Sequence, residues 1–116
     1  MTLRIDSNGP IDFNDPEIHP YDDVIDLSGK ELTDLPEGLF SIEGIKSLFL
    51  GDNHLKRISE RLVQKFRDLE VLDLSGNIEL EFCPDLSTLK KLQSLILPCN
   101  GLSVKVHSRS VNIRFT

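Results

Sequence analysis

The stretch LEVLDLSGN, residues 69–77, carries Leu69, Leu72 and Leu74 followed by Asn77. A helical stripe needs apolar residues three and four apart, and a half-buried strand needs strict alternation; this spacing is neither. It recurs in IKSLFLGDN, with Ile45, Leu48, Leu50 and Asn53, and in LQSLILPCN, with Leu92, Leu95, Leu97 and Asn100. A fainter copy, DDVIDLSGK, keeps Ile25 and Leu27 but has Asp22 in the first slot and Lys30 in the last. Aligned on Leu27, Leu50, Leu74 and Leu97, successive copies lie 23, 24 and 23 residues apart. A fixed period of this size marks stacked units, each of which buries its apolar face only against its neighbours.

Through these copies residues 22–102 resemble the leucine-rich repeat family. The resemblance implies an α/β fold: a right-handed solenoid with short parallel strands on its concave face and helical or 3₁₀ segments on its convex face. Residues 1–116 are expected to form one domain. It would comprise a capping arm at 1–21, repeats at 22–44, 45–68, 69–91 and 92–102, and a capping strand or truncated repeat at 103–116. Within each repeat the leucines point into a shared core. The asparagine side chain satisfies backbone groups at the sharp turn that no ladder reaches, so Asn53, Asn77 and Asn100 are expected to stack as a buried ladder. Lys30, in the asparagine slot of the first repeat, suits a cap, with its stem over apolar surface and its ammonium in water.

The convex segments differ. In LPEGLFSIEG, Pro36 and Gly38 interrupt the apolar residues and predict a turn or 3₁₀ piece. SERLVQKFRD predicts a helix, capped by Ser59, with Glu60 in its first turn and Leu62, Val63 and Phe66 on one face. Leu80 comes one residue later after its asparagine than Leu55 or Leu102, which predicts a bulge in NIELEF. Beyond Leu102, alternation at Val104 and Val106 and at Val111, Ile113 and Phe115 predicts an edge strand or a hairpin.

Composition narrows the function. No run approaches the roughly 18 apolar residues of a membrane span. The start MTLRIDSNGPIDF lacks the apolar core and cleavage site of a secretory signal. There is no Asn-X-Ser/Thr site and no clustering of cysteines, so a cytoplasmic setting and free thiols at Cys83 and Cys99 are expected. His19, His54 and His107 share no metal-ligand spacing, and Val24 stands where a phosphate loop ending at Gly29-Lys30 needs glycine. No cofactor, metal or catalytic residue is assigned. Residues 1–44 hold two basic and eleven acidic side chains, which argues against nonspecific nucleic-acid binding.

What the repeat geometry exposes by design is the outward strand positions. Asp26, Phe49, Asp73 and Ile96 fall in one slot; Val24, Ser47, Val71 and Ser94 fall in another; Asp52 and His54 border the turn. Phe49 is the candidate aromatic anchor of this face, the alternative being a ring folded over its neighbours. The resemblance therefore implies a monomeric, non-enzymatic module that binds a protein partner through its concave face. The alternatives are a substrate-recognition subunit or fragment of a larger enzyme complex, and a bacterial or viral effector acting on host signalling.

Overall fold

The computed structural model describes residues 11–116. Five short strands form one sheet in chain order: β1 Val24–Asp26, β2 Ser47–Phe49, β3 Val71–Asp73, β4 Ser94–Leu97 and β5 Asn112–Phe115. All four pairings are parallel, and the repeat slots align without slippage, as Ile25↔Leu48, Leu48↔Leu72 and Leu72↔Leu95. A one-residue slip would turn every core leucine to the opposite face, so the spacing of the leucines is what holds this register.

Two inward columns build the core. Ile25, Leu48, Leu72 and Leu95 form one and Leu27, Leu50, Leu74 and Leu97 the other, all buried. The crossover segments close over them with Leu32, Leu39, Leu55, Ile58, Leu62, Phe66, Leu80, Leu86 and Leu89. A 3₁₀ turn spans Glu37–Ser41, and α1 spans Glu60–Lys65 with the Ser59 hydroxyl accepting from the Arg61 N–H at 3.1 Å. Phe40 stacks on Phe66 with centroids 5.9 Å apart, which ties these two convex segments together.

At the β1 edge, Ile18 is buried and its carbonyl accepts from the Asp26 N–H at 2.7 Å, while the His19 ring bonds the Val24 carbonyl at 2.9 Å. Both close groups that a preceding coil would otherwise satisfy. The part of the expected arm at residues 1–10 lies outside the described residues.

At the other end, of the two readings of residues 103–116, the edge strand forms and the hairpin does not. A hairpin would be antiparallel and closed by a tight turn. Instead residues 103–111 return along the convex side, with the Lys105 carbonyl accepting from the Leu86 N–H at 3.0 Å, and β5 then pairs parallel with β4. Ile113 and Phe115 extend the two core columns, and Phe115 is 57% exposed.

The extra residue in NIELEF is absorbed by extrusion. Leu80 stays buried, Ile78 is left 74% exposed, and an isolated parallel bridge between Arg57 and Phe82 re-establishes the stack.

Candidate functional site

The turn that follows each strand decides how the concave rim is built. Gly29, Asp52 and Gly76, each two residues after a core leucine, have φ of 66°, 55° and 73°. After Asp52 and Gly76 the next residue is an asparagine, folded back under the strands; after Gly29 it is Lys30. Asn53 Nδ2 donates to the Leu27 and Leu50 carbonyls at 3.0 and 2.9 Å, and its Oδ1 accepts from the Lys30 and Leu32 N–H groups. Asn77 donates to the Leu50 and Leu74 carbonyls, both at 3.0 Å, and accepts from the Leu55 N–H at 3.1 Å. Both asparagines are buried, and the Leu50 carbonyl, shared between them, links one coil to the next.

Asn100 departs from this ladder. It is exposed, and its amide donates to the Ile78 and Leu80 carbonyls at 3.2 and 2.8 Å. The cause lies in its turn. Pro98 offers no N–H and a fixed φ, Cys99 has no positive φ, and the left-handed residue moves to Gly101 at φ 85°. Thr116, directly after β5, takes over two bonds of this turn: its N–H donates to the Leu97 carbonyl at 2.8 Å, and its carbonyl accepts from the Gly76 N–H at 2.9 Å.

On the concave face, Asp26, Phe49 and Asp73 lie side by side on adjacent strands, continued by Ile96 and Arg114. A second row holds Val24, Ser47, Val71, Ser94 and Asn112. The first four members of each row were expected there; Asn112 and Arg114 were not. The signal for them was the spacing of Ile113 and Phe115, which matches Leu95 and Leu97. Phe49, Asp26 and Asp73 are half-buried, and Asp52 is exposed at the turn.

Ile96 is the exception. Expected as an accessible contact, it is 8% exposed although it is no part of the core cluster. Its short branched side chain stands between Asp73 on β3 and the long Arg114 on β5, so it offers little area to a partner.

Asp26 Oδ1 accepts from the Ser28 N–H at 3.0 Å and Asp73 Oδ1 from the Ser75 N–H at 2.9 Å. These bonds fix the carboxylates while leaving each Oδ2 without a partner among the described residues. The ion pairs among those residues join crossover segments instead: Arg61 to Glu37, Lys65 to Glu43 and Lys91 to Asp68.

Cys83 and Cys99 are free thiols; Cys83 is half-buried, and burial pushes its pKa up to about 12. Among the described residues no group of three or more His, Cys, Asp or Glu is placed to hold a metal, and no helix is long and apolar enough to cross a membrane.

A sequence model of a family described as leucine rich repeat matches residues 23–78. The chain is also 32% identical over 100 residues to a probable disease resistance protein of Arabidopsis thaliana, covering 83% of this chain. It spans 11% of that protein's length. The repeated spacing and the sheet register thus have one origin: the chain belongs to the leucine-rich repeat family, whose members generally serve as protein-interaction modules.

Proposed function

We propose that this chain is a non-enzymatic, monomeric module that binds a protein partner through the concave face of its sheet. The observation that carries the reading is the in-register row Asp26, Phe49 and Asp73, in which a half-buried aromatic is set between two oriented carboxylates. Aromatic side chains supply much of the energy of protein interfaces, and flanking charges supply specificity and association rate. Five strands about 4.8 Å apart present a face about 19 Å across, which fits a short helix or extended segment. The free thiols support a reducing, cytoplasmic setting as part of the same reading.

A second reading makes the module the recognition segment of a larger assembly. It is favoured by the plant resistance protein, of which this chain matches 11% of the length.

The test is selection of a random-peptide display library on the parent protein, followed by affinity measurement on variants with unchanged circular dichroism. Phe49→Ala and Asp73→Lys should each weaken the selected peptides by about 1 kcal/mol or more, the charge reversal in a salt-dependent way. Gln64→Ala on α1 should leave affinity unchanged. Peptides that survive both concave substitutions and are lost on a convex one would show that binding uses the other face.

A further inference from the structure

We infer that β1, β2 and β3 together form a receptor for one cationic side chain, lysine or arginine, carried by the partner; this rests on the concave-face reading above. Adjacent parallel strands lie about 4.8 Å apart, so the pairing Asp26↔Phe49↔Asp73 sets two carboxylates about 10 Å apart with the Phe49 ring between them. A cation centred over such a ring interacts with its π face within about 6 Å of the centroid, and from there either carboxylate is in reach.

Three further observations favour a cation over an apolar anchor. First, the backbone holds Oδ1 of each aspartate, so Oδ2 is presented in a fixed direction to an incoming donor. Second, no lysine or arginine among the described residues pairs with either carboxylate. An aliphatic residue docked on Phe49 would strip water from both aspartates and give nothing in return, whereas an ammonium or guanidinium replaces that water with charged hydrogen bonds. Third, the half-buried row Val24, Ser47 and Val71 lies beside the acidic row and can receive the methylene stem.

The surroundings fix where on the face the cation goes. Asp23 and Glu70, at the entries to β1 and β3, and Asp52 at the β2 turn extend the negative field, opposed by Lys46. Past β3 the face changes character, with Ile96 buried and Arg114 exposed. A basic group is therefore drawn to the β1–β3 half and repelled from the β4–β5 half.

The test uses blocked peptides Ser-Gly-X-Gly-Ser, with X lysine, arginine, norleucine or glutamate, titrated into isotopically labelled protein while backbone amide shifts are followed. The lysine and arginine peptides should perturb Asp26, Phe49 and Asp73 and bind roughly tenfold tighter than the norleucine peptide. In Asp26→Asn/Asp73→Asn that preference should vanish, and in Phe49→Leu it should fall several-fold while the fold is kept. Equal binding of lysine and norleucine peptides on the concave face would overturn the cation receptor and leave the concave-face reading standing. Shifts confined to α1 and the other convex segments would overturn both. Cationic peptides that shift Asp12 and Asp15 as strongly as Asp26 and Asp73 would reduce the effect to diffuse acidity and also overturn the receptor.

Discussion

Replacing Asn77 with alanine tests whether the asparagine turn carries stability, and the structure sets the magnitude. The side chain is 0% exposed and makes bonds to the Leu50 and Leu74 carbonyls and to the Leu55 N–H. Truncation leaves the Leu50 carbonyl with Asn53 as a remaining donor, whereas the Leu55 N–H and the Leu74 carbonyl each lose this side-chain partner. An unsatisfied buried polar group costs about 1–3 kcal/mol, so two of them, partly relieved by water entering the space, give about 2–4 kcal/mol. Asn100→Ala removes the same atoms from an exposed residue and should cost about 0.5–1 kcal/mol. Urea unfolding followed by circular dichroism reads both as midpoint shifts at constant slope. An unchanged midpoint for Asn77→Ala, or equal losses for the two variants, would refute the assignment of the ladder to Asn53 and Asn77.

Gly76→Ala should destabilise by about 1–2 kcal/mol, because φ is 73° and the added Cβ would meet the Asp52 carboxylate; thermal melts check this, and no change would remove the strain argument. Ser59→Ala should cost about 1 kcal/mol by removing the cap of α1, while Ser59→Asp should restore most of it in the same assay. Ellman's reagent at pH 8 should label Cys99 quickly and Cys83 only slowly in the native protein, and both at once in denaturant, since Cys83 stays a neutral thiol up to about pH 12. Because its folded pKa is raised, the Cys83 contribution to stability is intact below about pH 9 and declines as pH rises from there towards 12. Alkaline unfolding of Cys83→Ala and parent should therefore converge across that window.

Much of the fold was legible because its information is periodic. The slots of Leu48, Leu72 and Leu95 predict both the strand and its register, since parallel pairing in a stack allows one alignment that buries every leucine. The helix at α1 was legible from local chemistry, a serine cap followed by an apolar stripe. Of the face, Asp26, Phe49 and Asp73 could be placed in one row from the repeat alone, though no pattern in the sequence assigns them a ligand.

What the chain order could not convey was how the last coil closes. Asn100 occupies the same slot as Asn77, yet Pro98 alters the turn before it, and the Leu97 carbonyl, counterpart of the Leu74 carbonyl that Asn77 serves, is taken by the Thr116 N–H, which joins it only after the chain has made another full circuit. Ile96 reads as outward-facing, and it is; it is nevertheless buried, with Arg114, 18 residues further on, brought beside it only by the β4–β5 pairing. Local spacing determines what a repeat does within itself and against its like. Where a coil departs from its neighbours, as around β4 and β5, partners of backbone groups come from residues distant in sequence, and only the tertiary structure decides them.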